Sequence, residues 1–172
     1  MKSRLLGFEW DASSSHSRGP ALGPSVVRRL FSSEASSPYS IDLVDMREAI
    51  ESYFVPELPQ DGDKARAIIG KTIADCLAAG FAPLSIGGDH SVTYPILKAV
   101  AARHGPVNIL HIDAHPDLHE AYEGDRYSHG SPFARVLEDR LVRRFVQIGI
   151  RCSAPNEDEI ARKAGIAVLR TD

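Results

Sequence analysis

Cysteine is almost missing from this chain: Cys76 and Cys152 stand alone among 172 residues. They form neither a CxxC pair nor any zinc-type spacing, which sets aside a disulfide framework, a zinc finger and a dithiol redox pair. Two isolated thiols suit a reducing compartment, and a cytoplasmic protein is expected. Long apolar runs are missing as well. Nothing approaches the roughly 20 apolar residues that a membrane-spanning helix needs. Met1 to Gly7 is too short in apolar length for a signal peptide and lacks a cleavage pattern. No membrane is therefore expected as a partner. Excess positive charge is the third absence. The net charge is −3, with no basic stripe, so no nucleic acid is expected either. No internal repeat is visible.

What remains is the composition of a globular α/β chain. With 43% hydrophobic residues over 172 positions, one domain can bury a core without disulfide staples. Arg4 to Phe8 reads as a first strand, followed by a polar loop from Trp10 to Pro20. Pro24 opens a helix through about Leu30, where proline is tolerated. Ile41 to Val44 reads as a second, exposed strand. Tyr53 to Asp61, with two prolines, reads as a connection. Asp63 to Ala79 is the clearest helix, with Ala65, Ile68, Ile69, Ile73, Cys76 and Leu77 recurring at near-helical spacing and Gly80 as its stop. Phe81 to Ile86 is the next strand, and a helix carrying Ile96, Leu97 and Val100 follows. Gly105-Pro106 precedes a strand at Val107 to Ile112. After a long loop come a helix at Pro132 to Glu138, a strand at Arg144 to Ile150, a helix at Asn156 to Lys163 and a strand at Ile166 to Leu169. This alternation predicts a three-layer α/β/α fold with a mostly parallel sheet. Ligands of such sheets bind beyond the carboxyl ends of the strands.

Two polar clusters lie at such ends. Asp113-Ala114-His115-Pro116-Asp117 follows the strand ending at Ile112. Alternate side chains of a strand share a face, so Asp113, His115 and Asp117 are expected to project together. Two carboxylates and an imidazole suit a divalent cation of Mn, Zn or Fe type. Gly87-Gly88-Asp89-His90-Ser91 follows the preceding strand. It has neither a P-loop lysine nor GxGxxG spacing, and His90 is expected to join the metal ligands. Asp89 reads equally well as a helix cap. In Tyr127-Ser128-His129-Gly130, His129 reads either as a surface residue before a helix or as a proton shuttle beside a metal site. His111 is expected to point away from the ligands. His119 continues the odd-numbered series, but Pro116 interrupts it, and it is left out of the ligand set.

Together, Gly-Gly-Asp-His-Ser, Asp-Ala-His-Pro-Asp and Tyr-Ser-His-Gly resemble the arginase/agmatinase (ureohydrolase) family. Gln147-Ile148-Gly149-Ile150-Arg151 and the opening loop with Gly19-Pro20 and Gly23-Pro24 are similar to that family too, so the resemblance covers most of the chain. Leu118 and His119 after Asp117 look more like the agmatinase-like branch, which includes plant arginases, than like animal-type arginases. The resemblance implies an arginase-like fold and hydrolysis of a small guanidino substrate, agmatine or arginine, to urea and an amine. It implies a binuclear Mn2+ cofactor, with a metal-bridging hydroxide as nucleophile. His90 and Asp117 would serve one metal, His115 the other, Asp113 would bridge them, and His129 would shuttle protons. A homo-oligomer is implied by family habit. The family's later Ser-x-Asp-x-Asp-x-x-Asp-Pro motif, source of two more ligands, has no counterpart in these 172 residues. The expectation is therefore residues 1–172 as the N-terminal portion of a single arginase-like domain, incomplete at the C-terminus. Alone it would bind metal weakly and show little or no activity. The alternatives are a truncated, non-catalytic binding or assembly chain, and a hydrolase of another guanidino or formimino substrate on the same scaffold.

Overall fold

The sheet is divided in two. A computed structural model describes residues 2–171 and contains six strands, every paired neighbour of which runs parallel. Strands β1 (Ser3–Phe8), β2 (Ile50–Phe54) and β3 (Ala82–Gly87) form one sheet in the order β2-β1-β3. Strands β4 (Val107–Ile112), β5 (Val142–Ile150) and β6 (Ala167–Arg170) form a second in the order β4-β5-β6. Among the described residues, β3 pairs only with β1 and β4 only with β5, so each three-stranded half presents an open edge. Side chains near those edges are uncovered: Leu84, Leu110 and Ile112 are exposed. The expected parallel α/β pattern is present, but as two half-sheets.

Helices fill the crossovers, since parallel neighbours cannot be joined by a hairpin. They are α1 (Gly23–Phe31), α2 (Met46–Ala49), α3 (Gly62–Ala78), α4 (Thr93–His104), α5 (Pro132–Glu138) and α6 (Pro155–Lys163). Helix α3 shows why these segments coil. Asp61 accepts the Lys64 N–H at 3.0 Å and caps the first turn, and Gly80 leaves the far end with φ 82°. Between them Ala65, Ile69, Ile73 and Cys76 fall on one buried stripe. They pack with Leu6, Phe8 and Trp10 from β1 and the loop after it. Burying each isoleucine contributes roughly 1.5–3 kcal/mol. Proline occupies the first turn of α1, α5 and α6, where its missing N–H costs nothing.

One expected strand is misplaced. Ile41 is fully exposed and Leu43 has φ 59°, so 41–44 forms a turn. It is held by the Leu43 N–H to Ser40 carbonyl bond and the Tyr39–Asp45 bridge. The second strand is instead Ile50–Phe54, which overlaps the segment read as a connection. β2 is an edge strand, and on an edge the prolines that follow at 56 and 59 do not interrupt a ladder.

Candidate metal centre

The two loops named from the sequence meet at the carboxyl ends of β3 and β4. The first is shaped by a close backbone approach. A Cβ at Gly88 would lie 2.0 Å from the Trp10 carbonyl oxygen, so only glycine fits there. The Asp89 N–H donates to that same oxygen at 2.7 Å. The Asp89 carboxylate is spent on structure. Its Oδ1 accepts the Ser91 N–H at 2.9 Å, and its Oδ2 accepts the Ser13 N–H at 3.0 Å. Of the two roles open to Asp89, the geometry matches the cap. His90 begins the turn that this cap secures, and its Nδ1 lies 2.8 Å from Asp117 Oδ2.

The second loop is bent, not extended. Asp113 still donates its N–H to the Ile148 carbonyl at 3.1 Å, but its Oδ1 turns back to accept the His115 N–H at 2.9 Å. Asp117 has φ 53°, a left-handed conformation rare for a residue with a side chain. Three contacts hold it there. The Phe133 N–H donates to its carbonyl at 3.2 Å, the Leu118 N–H donates to Glu157 Oε1 at 3.1 Å, and the Gln147 amide donates to the Pro116 carbonyl at 2.8 Å. Strand parity therefore does not bring Asp113 and Asp117 together, because the strand ends at Ile112. The loop's reversal does.

The side chains that converge are His90, His111, Asp113 and Asp117, each offering one ligand atom within 4.8 Å of the others. His111 corrects an expectation. The strand stays regular through it, with 108, 110 and 112 exposed and His111 buried, so it shares Asp113's face. Its Nε2 is 3.5 Å from Asp113 Oδ2 and 3.8 Å from Asp117 Oδ2. Burial pushes the His111 imidazole below its ordinary value, helped by the neighbouring His90, so the ring is neutral near pH 7. Burial also pushes the Asp113 carboxyl up. The His115 N–H, with His111 and His90, outweighs that and leaves it below the ordinary carboxylate value. A carboxylate held ionised, a second one beside it, and the His90 imidazole within ligand reach of both are a donor set that fits a divalent cation.

His115 lies at the solvent side of this group. Its side chain is 59% exposed, with Nδ1 3.5 Å from Asp113 Oδ1. His129 sits across an open cleft of ≈ 400 Å³ that is also lined by His115, Asp117, His119, Tyr122 and Glu157. Its Nδ1 is 3.1 Å from the Ser13 carbonyl oxygen and its Nε2 is 3.5 Å from Ser15 Oγ. A carbonyl only accepts, so Nδ1 carries the proton and Nε2 is left to take or give one. His119 faces Glu157 instead, with Nε2 3.5 Å from Oε1.

Sequence reasoning passed over Gln147 and Glu157. Both are buried polar side chains. The available signal for Gln147 was a lone amide within the otherwise apolar run from Phe145 to Ile150, opposite His111 in the parallel register. For Glu157 it was an acidic residue three positions after Ala154, whose N–H it accepts at 2.9 Å, a helix-start arrangement.

Comparison with known proteins identifies the family. The family model described as Arginase family matches residues 1–172. The chain is 36% identical to arginase 2, chloroplastic/mitochondrial, of Arabidopsis thaliana over 172 residues, covering 94% of this chain and 50% of that protein. It is 39% identical to the guanidinopropionase of Pseudomonas aeruginosa, covering 98% of this chain and 55% of that protein. Among solved structures, the arginase from Medicago truncatula superposes with a TM-score of 0.91 at 31% identity, over 98% of this chain and 56% of that one. The chain thus spans about half the length of the curated relatives it matches. The family match over all 172 residues, and the fold it shares with a solved arginase, establish that this chain belongs to the arginase family.

Proposed function

We propose that this chain is the N-terminal portion of a manganese-dependent ureohydrolase that cleaves a guanidino compound, agmatine first and arginine second, to urea and an amine. The observation that carries this reading is the convergence of His90, Asp113 and Asp117 at the carboxyl ends of two strands. The relatives add support, since they include arginases, a chicken mitochondrial agmatinase and a guanidinopropionase. In this reading His90 and Asp117 would hold one Mn2+, His115 would hold a second, and Asp113 would serve the pair. Bound dications supply a water of lowered pKa as the nucleophile. His129, with its Nδ1–H fixed on the Ser13 carbonyl, keeps a bare Nε2 that can take up a proton from solvent and then pass it to the leaving amine.

The donor set alone does not balance two dications. Two carboxylates leave about +2 of formal charge uncompensated, a costly balance in a partly buried site. Further carboxylates on additional polypeptide, seated at the open edges of β3 and β4, would complete it. The same proposal includes a homo-oligomer, supported by the exposed Leu22, Leu30, Ile41 and Leu43. It also includes a reducing, cytoplasmic setting, supported by two unpaired cysteines, although relatives carry chloroplast and mitochondrial names. No described helix is long and apolar enough to cross a membrane. The test is a substrate panel of agmatine, arginine, guanidinobutyrate and guanidinopropionate with Mn2+, reading urea. The 172-residue chain is expected to release little or none, and the chain extended through two further aspartate ligands to release urea from agmatine fastest. No urea from the extended chain with any substrate would overturn the reading.

A further inference from the structure

Gln147 has no assigned part in the site, yet it is fully buried and touches it twice. Its amide nitrogen is 2.8 Å from the Pro116 carbonyl oxygen and 3.2 Å from His111 Nδ1. The carbonyl can only accept, so the group facing it is the NH2 end and not the amide oxygen. Both hydrogens of that NH2 are then committed, one to Pro116 and one to His111. A ring nitrogen that receives a hydrogen bond carries no proton, so the His111 proton sits on Nε2. That atom is buried without a hydrogen bond of standard geometry, and it faces Asp113 at 3.5 Å and Asp117 at 3.8 Å.

We propose that Gln147 is a positioning residue that locks His111 as an Nε2–H donor to the Asp113 and Asp117 carboxylates, so that His111 orients the metal ligands and is not one itself. His111 could ligate through Nε2 only by losing its proton and becoming an imidazolate, or by breaking the Gln147 bond. The four-residue cluster is thus three ligands and a clamp. The clamp is rigid, because Gln147 and His111 are direct neighbours on parallel strands and the His111 ring packs 4.4 Å from that of Phe133. By also holding the Pro116 carbonyl, Gln147 fixes the loop between the two carboxylates it serves. Partners of this kind hold ligand orientation and typically change metal affinity by about 10–100-fold when removed.

The inference rests on the metal-site reading for its purpose, but its central claim is tested without metal. Long-range 1H–15N correlations of the histidine rings in the metal-free chain are expected to show His111 protonated on Nε2 and bare on Nδ1. An Nδ1-protonated ring overturns the proposal. Mn2+ affinity, followed by the electron paramagnetic resonance of the free ion, is expected to fall about tenfold in Q147L and H111A. It should stay near the wild-type value in H111Q, whose amide can still donate to the carboxylates. H111Q as weak as H111A would make His111 a ligand and overturn the proposal. Should the buried variants fail to fold, the wild-type ring pattern decides by itself. A wild-type chain that binds no Mn2+ removes the metal reading, while the ring pattern still settles what Gln147 does to His111.

Discussion

The two half-sheets are built from different materials. Around β1 and β3 the core is apolar: Leu6, Phe8, Trp10, Ala65, Ile69, Ile73, Cys76 and Val92 form one dry cluster. Around β4 and β5 the interior also holds His111, Gln147, Glu157, Arg135, Ser128 and Ser131, all buried. Buried polar groups weaken a core unless they are bonded, and three of these six are aimed at one object. Gln147 holds Pro116, Glu157 holds Leu118, and His111 faces Asp113 and Asp117. The first half is thus a platform that brings His90 to the site. The second gives up dry packing to keep one loop in a conformation that it would not choose for itself.

That division can be broken from either side. In Asp113→Ala, the carboxylate common to both proposed metal positions is gone, and Mn2+ affinity should fall by more than about 100-fold, beyond the range seen for outer partners. The metal-free chain should lose only a little stability, since the fold favours this carboxylate but leaves its side chain 32% exposed. Ile73→Ala should do the opposite. It opens a cavity in the dry half and should cost about 2–5 kcal/mol, read by chemical denaturation, while the folded fraction keeps its Mn2+ affinity. If Ile73→Ala weakened metal binding as much as Asp113→Ala, the two halves would not be separable in this way.

What was legible in the sequence follows the same boundary. Helix α3 could be read because its apolar stripe repeats at helical spacing and ends on Gly80. The convergence of His90 with Asp113 and Asp117 was legible because both loops follow apolar strands in an α/β alternation. The reason assigned to it was wrong in part. Asp117 arrives through a left-handed residue and a reversed loop, which no period-2 rule describes. His111 turns to the ligands, against expectation, because β4 stays regular through it. Ile50–Phe54 was missed because an edge strand carries little alternation, while the apolar Ile41 to Val44 drew the assignment to a turn. Gln147 and Glu157 stayed hidden because their partners lie 31 and 39 residues away, a separation that local pattern cannot show.

Glu157 tests how much the bonded polar interior matters. Its carboxylate accepts both the Leu118 N–H at 3.1 Å and the Ala154 N–H at 2.9 Å. It thereby ties the loop just after Asp117 to the start of α6. In Glu157→Gln one oxygen becomes a donor facing an N–H. The loss should be about 1–3 kcal/mol, the usual penalty for a buried group left unbonded. Because the slack falls beside Asp117, Mn2+ affinity should drop as well, by about tenfold. Destabilisation with unchanged metal affinity would confine Glu157 to capping α6.

The smallest effect belongs to a contact outside both interiors. Asp139, just past α5, accepts from Tyr94 Oη and Lys98 Nζ of α4, each at 2.8 Å. Those two bonds, Lys98 first, hold the Asp139 carboxyl below its ordinary value of 3.8, and the same pairing raises the Lys98 ammonium. A carboxyl depressed in the folded state adds stability above its unfolded value, and that stability is lost as the pH falls through the folded value. The lysine's share is present at all lower pH and is lost only in strong alkali. Asp139→Asn should therefore lower stability at pH 7 and make no difference once the pH is well below 3.8. The side chain is 36% exposed, so solvent screening keeps the loss to about 0.2–1 kcal/mol. Denaturation curves of the two proteins at pH 7 and in acid should converge as the pH falls. A gap that widened in acid would mean that Asp139 is held by something other than its charge.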